Sequence, residues 1–283
     1  MLLGMFGEYV YELATAESLL KNQQDVEDQL DQEEPPFTAV VSPDLSALDE
    51  DAWTMVLDRT LNPAEAQALL ALDTETDHLG RRVWALLGPL GGRILGGYPG
   101  LTMAEGFPHG QATSFTLNLF SQRKSPVSVT GMQAVDVHCA PSTAQTVVEK
   151  PTAGETGYSG ILFDLDGRDS APVVPVITDG GPDQGRPYFE HRKIDLGGGL
   201  EPGGLRVAAA VASGACGWDI EATYTDADGR HTGVVLRDGT KQFRAESGPV
   251  APRQRFVYSL ESPTSILLPC HEKRYASNIT CRP

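Results

Sequence analysis

The chain has 283 residues, a hydrophobic share of 40% and a net charge of −16 at pH 7, enough for one or two domains with a real core. The charge is uneven: residues 1–80 hold 18 Asp and Glu against Lys21 and Arg59, whereas residues 81–283 hold 20 residues of each sign. An acidic field without a basic patch disfavours nucleic acid as a partner, and no stretch approaches the roughly 18 apolar residues of a transmembrane helix.

Residues 1–36 form an acidic lead-in. Met1–Gly7 is apolar, but no Lys or Arg precedes Lys21, and Glu8 and Glu12 interrupt the apolar run. A cleavable secretory signal needs a positive start and a continuous apolar core, so this reading is rejected. A second reading makes Met1–Gly7 the outer end of a membrane anchor whose earlier part lies upstream. Tyr9, Leu13, Ala16, Leu19 and Leu20 have helical spacing, which predicts a stalk helix over 8–30. Residues 21–36 are polar and end in Pro35-Pro36, as a linker does. Such a segment is either solvated and partly disordered or docks onto a basic partner.

Residues 37–110 read as a small α/β module. Phe37–Ser42 and Trp53–Leu57 are strand candidates. Asn62 is a helix N-cap residue, Pro63 suits the first helical position, and Glu65 completes a capping box. That helix should run to about Leu72. A second, over 79–87, puts Leu79, Val83, Trp84 and Leu87 on one stripe and stops at Gly88-Pro89. The glycine-rich stretch Gly91–Gly97 follows a helix and lacks the Gly-Lys-Ser/Thr ending of a phosphate loop, so it reads as a turn or bulge between domains.

Residues 111–262 read as an antiparallel β-sandwich, immunoglobulin-like or jelly-roll-like. Phe115, Leu117 and Leu119 alternate with polar residues, as do Ile161, Phe163 and Leu165, then Leu205, Val207, Ala209 and Val211. Two runs are the clearest. Val127, Val129, Val135, Val137 and Cys139 share one parity, and so do Cys216, Trp218, Ile220, Ala222 and Tyr224. A period of two marks strands with one buried face. Phe256–Leu260 is a last strand candidate, and residues 263–283 read as a polar tail.

Cys139 and Cys216 sit on the inward faces of these runs. They are either buried thiols acting as small hydrophobes or an inter-sheet disulfide worth about 4.5 kcal/mol by chain entropy. Cys270 and Cys281 would close a tail loop worth about 3 kcal/mol. Their spacing is not that of a zinc site. An even count without a metal pattern leans toward an oxidising compartment.

Ile161–Gly167, ILFDLDG, resembles the first motif of haloacid dehalogenase-like phosphatases. That resemblance implies a phosphoryl-accepting Asp164 and an acid/base Asp166, working with a metal. The run of alternating strands around it argues instead for a strand entering a polar turn. A calcium site at Asp164, Asp166 and Asp169 is a further reading. The six histidines lack metal spacing; His138 and Asp136 form a surface-pair candidate, and His191 reads as a strand edge. Tyr158, Tyr188 and Tyr258 are the candidates for the exposed aromatic row that a glycan-binding module needs. Asn278-Ile279-Thr280 fits the short glycosylation pattern.

Phe115–Leu119, Val127–Cys139, Cys216–Tyr224 and the turn at Asp238-Gly239 together resemble uncharacterised actinobacterial envelope proteins, in which a span and stalk present an immunoglobulin-like domain outside the cell. The resemblance implies a non-enzymatic interaction or scaffold protein of the envelope, with a protein or cell-wall partner and no cofactor. The alternatives are a metal-dependent phosphatase-like enzyme using Asp164 and Asp166, and a glycan-binding module.

Overall fold

A computed structural model describes residues 35–49, 52–74, 78–97, 111–151, 160–166, 173–178, 181–227, 229–249, 251–259, 266–275 and 277–281. The helix expected over 8–30 therefore lies outside the described residues. In chain order, β1 (Thr38–Pro43) and β2 (Trp53–Leu57) precede α1 (Pro63–Leu70) and α2 (Leu79–Leu87). Then come β3 (Arg93–Gly97), β4 (Gln111–Phe120), β5 (Val127–Ala140), β6 (Thr146–Lys150), β7 (Ile161–Asp164) and β8 (Val176–Ile177). A short helix, α3 (Tyr188–His191), leads into β9 (Ile194–Leu196), β10 (Gly203–Ala210), β11 (Ala215–Asp226) and β12 (Gly229–Leu236). β13 (Phe243–Glu246), β14 (Gln254–Ser259) and β15 (Ile266–Pro269) complete the strands.

The strands form two sheets, so the chain is mainly β. The larger runs β15-β14-β6-β2-β3-β4-β10-β7-β8, with β1 also paired to β4. β3 takes Gln111–Thr113 of β4, and β1 takes Phe115–Phe120 on the same edge, because β10 occupies the other. The smaller runs β12-β11-β5-β9, with β13 also on β11. Two pairs, β7 with β10 and β6 with β14, are parallel, which corrects the all-antiparallel expectation.

The larger sheet serves two cores. Toward β4, β7 and β10 it faces the smaller sheet, and Leu117, Phe163 and Val207 pack against Val129, Trp218 and Phe243. Trp218 touches the Phe163 and Phe243 rings at centroid distances of 4.8 and 5.4 Å. Toward β2, β6 and β14 it carries the helices, and Trp53, Met55, Val148 and Phe256 pack against Leu69, Val83 and Leu87. The strands from 37–97 and those from 111–269 thus share one hydrogen-bonded sheet.

Local chemistry explains the helices. Asn62 Oδ1 accepts from the Glu65 amide, and Glu65 accepts from the Asn62 amide, each at 2.9 Å. The two bonds satisfy orphan donors of the first turn. α1 ends at Leu70 rather than about Leu72, and α2 runs on into a 3₁₀ turn at Gly88–Leu90. Gly80 lets α2 approach the sheet: a Cβ there would stand 2.5 Å from the Leu48 carbonyl oxygen and 2.9 Å from Trp53 Nε1. Of the Gly91–Gly97 stretch, only its start is a turn; Arg93–Gly97 is β3. Within 263–283, residues 266–269 form β15 on the edge of the larger sheet.

β11 keeps its alternation, with Cys216, Trp218, Ile220, Ala222 and Tyr224 all buried. β5 does not. Thr130 is an extra residue between the pairs Thr223–Gly131 and Tyr224–Val129, and Asp136 and Val137 together oppose Trp218. Asp136 adopts φ of 51° there. Each bulge shifts the parity by one, so Met132 and Ala134 face the core in place of Val135, and the second bulge returns Val137 to the inward face its parity predicts.

Candidate functional site

The ends of β5, β7, β11 and β13 converge on a cleft of about 590 Å³. Cys139 and Cys216 stand directly opposite each other on β5 and β11, with Cα atoms 4.0 Å apart, at disulfide distance. The pair therefore lies across one sheet and does not join the two, as the inward parity had suggested. Cys216 is buried, while Cys139 is exposed at the strand end and lines the cleft. Ser142, Asp166, Ser213, Gly214 and Ser247 form the surrounding wall. Gly214 has φ of 76°, and a Cβ there would strike the Ala140 carbonyl. Its own carbonyl accepts from the Ser247 amide at 3.0 Å and the Ser247 hydroxyl at 3.3 Å. The turn between β10 and β11 is thereby tied to the end of β13.

The carboxylates of the phosphatase-like motif are both taken up by backbone. β7 points Ile161, Phe163 and Leu165 inward and leaves Asp164 and Asp166 exposed. Asp164 Oδ1 accepts from the Asp166 amide at 3.0 Å, closing a turn. Asp166 Oδ2 accepts from the Ala212 amide, joining β7 to the turn after β10. Asp169 lies outside the described residues. Among the described residues, no group of three or more His, Cys, Asp or Glu side chains is arranged to hold a metal ion.

Behind the cleft stands a charged network that no sequence motif announces. Ser142 donates to Glu246, which has no exposed side-chain surface. Arg93 Nε donates to Glu246 at 2.9 Å, and the same guanidinium reaches Asp58 at 2.8 and 3.1 Å. Arg244 donates to Asp58 at 3.1 Å and to Thr143 at 2.9 Å, and Thr143 donates to Asp58 at 2.8 Å. Thr113 of β4 accepts from the Glu246 amide at 2.9 Å. Two arginines thus neutralise two carboxylates where the helical and sandwich cores meet. Burial pushes the Asp58 carboxyl up, but hydrogen bonds from Arg93 and Thr143 and the charges of Arg93 and Arg244 hold it below the ordinary range. Arg244 and Glu246 share one parity of β13 against buried Phe243 and Ala245, which is the only trace of the network in the sequence.

The other candidates are dispersed. Cys270 and Cys281 lie at disulfide distance with Cα atoms 5.2 Å apart. Cys270 donates its amide to the Arg255 carbonyl at 2.8 Å, and Arg255 donates to the Cys281 carbonyl at 3.2 Å. Both ends of the tail loop are thereby held to β14. Tyr258 is buried and corrects the expectation of a surface platform; Tyr188 is half-buried beside Phe189, and Tyr158 lies outside the described residues. His191 ends α3 and is not on a strand edge. His138 is exposed, and it is the Asp136 carbonyl that accepts a bond, from Gln242 at 3.1 Å. Among the described residues, no helix is long and apolar enough to cross a membrane. No protein-family model, curated protein or solved structure matches the chain.

Proposed function

We propose that this protein is a non-enzymatic interaction or scaffold domain of the cell envelope, working outside the cytoplasm. The sandwich half is immunoglobulin-like in this reading, and the cleft over Cys139 and Cys216 is its docking face for a protein or cell-wall partner. One observation carries the proposal: all four cysteines stand in two pairs at disulfide distance. Disulfides persist in oxidising compartments and are rare in a reducing cytosol. One pair is built into the cleft, so the cleft is formed in full only where that bond is stable. The polar groups around it also suit docking. Asp164, Asp166 and Ser247 are bonded to backbone, and Ser142 to Glu246, so they shape a wall and are not poised to attack a substrate.

The test is alkylation of the native protein, isolated from the cells that make it, followed by intact mass. The proposal expects no added label before reduction and four labels after it. Four labels without reduction would place the chain in a reducing compartment and overturn the proposal.

A further inference from the structure

The tail of the chain carries a motif that the cleft does not use. Of the four asparagines, Asn22, Asn62, Asn118 and Asn278, only Asn278 is followed two positions on by Ser or Thr. Its backbone stands in a turn: the Asn278 amide donates to the Tyr275 carbonyl at 2.9 Å, and the Cys281 amide donates to the Asn278 carbonyl at 3.1 Å. Its side chain closes a smaller ring, in which the Thr280 amide donates to Oδ1 at 2.8 Å. A backbone N–H can only donate, so the atom facing it is the oxygen and the Nδ2 group is turned the other way. Among the described residues no hydrogen bond holds Nδ2.

The turn is reachable and held in one shape. Ile279, the middle residue of the motif, is 61% exposed, more than any other large hydrophobic side chain among the described residues. Cys281 lies at disulfide distance from Cys270, and Arg255 of β14 donates to the Cys281 carbonyl at 3.2 Å. The Thr280 hydroxyl is 3.1 Å from the Ser259 hydroxyl on the same strand. A hydroxyl both donates and accepts, so this bond leaves Thr280 able to meet a further partner. The motif thus sits on a surface turn, with its amide nitrogen toward solvent-accessible space and its hydroxyl two residues on.

We infer that Asn278 is a modification site and carries an N-linked glycan. The inference rests on the extracytoplasmic placement proposed above, because this pattern is modified on surface loops of secreted chains. Asn278 Nδ2 attacks the anomeric carbon of a sugar carried on a lipid diphosphate. A nitrogen–carbon bond forms, the bond from that carbon to the phosphate oxygen breaks, and the lipid diphosphate leaves with the electron pair. One Nδ2 proton passes to a base of the transferring enzyme. Amide resonance makes Nδ2 a weak nucleophile. The Thr280 bond onto Oδ1 favours the form in which the oxygen carries the charge and Nδ2 has released its proton.

Peptide mass mapping tests this on the full chain, isolated from the cells that make it. After reduction, alkylation and trypsin, the peptide that starts at Tyr275, behind Arg274, contains the motif. Most copies of it should carry sugar mass, placed on Asn278 by fragmentation. Asn278→Gln should abolish the added mass. Thr280→Ala should lower it about tenfold and Thr280→Ser should retain it, because the pattern asks for a hydroxyl at that position. A bare peptide from protein whose cysteines resist alkylation before reduction overturns this inference alone and leaves the compartment reading standing. A bare peptide from protein with free thiols overturns both. Sugar mass on Ser277 or Thr280 in place of Asn278 also overturns the inference.

Discussion

The Glu246 side chain has no exposed surface, and Arg93 and Ser142 take up its oxygens. Removing one partner of such a buried pair leaves the other uncompensated, at a cost of about 3–5 kcal/mol. Glu246→Gln leaves Arg93 paired with Asp58 and should cost less than that range, read as a shift of the urea midpoint at unchanged slope. Asp58 adds a pH dependence. Its folded-state value lies below the ordinary 3.8, so its stabilisation is complete above that value and is lost as pH falls through the folded one. Asp58→Asn should therefore flatten the loss of stability below about pH 4, measured by denaturant titration at each pH. Gly80→Ala acts differently, because Leu48 and Trp53 leave no room for a Cβ. Overpacking of this kind costs about 1–3 kcal/mol.

At the level of elements, the cross-strand cysteine pair and the helix cap are the separable parts. Cys139→Ala with Cys216→Ala should cost up to about 4.5 kcal/mol by loop entropy. The β5–β11 register should survive, because the ladder spans Ser128 to Ala140; amide exchange across those strands is the check. Glu65 is held down to about 2 by the Arg59 guanidinium and the Asn62 amide, against an ordinary 4.5. The first turn of α1 should therefore stay closed above pH 4.5 and open as pH falls toward 2, seen as faster exchange of the Glu65 amide. The sequence disclosed α1, α2 and β11 because each obeys a local period or a local cap. β5 was half legible: Val127 and Val129 face inward as their parity says, but the first bulge turns Met132 and Ala134 inward in place of Val135, the second restores the predicted parity at Val137, and Asp136 adopts a positive φ between them. The parallel pairings and the charged network were not legible, because their partners are remote. Arg93, for example, lies 35 positions from Asp58 and 153 from Glu246.

Taken as a whole, the molecule has two cores on one sheet, with the Asp58–Arg93–Glu246–Arg244 network at their junction. Neither core owns its sheet, so neither has a complete hydrogen-bonded scaffold once the other is lost. Heat should therefore unfold the described body in a single transition with matching calorimetric and van't Hoff enthalpies. Two resolved transitions, or a Trp53 signal that departs from a Trp218 signal, would show that the junction does not couple the cores. The placement of β1 carries a mechanical consequence. Its strand enters the larger sheet against β4, while the far end of the chain is clasped to β14 by the Cys270–Cys281 pair. A pull between the two ends of the body is borne by β1, β4, β3, β2, β6 and β14, rung by rung across the larger sheet. The smaller sheet, with the cleft at Cys139, hangs outside that line of tension, so the cleft keeps its shape while the domain is under load.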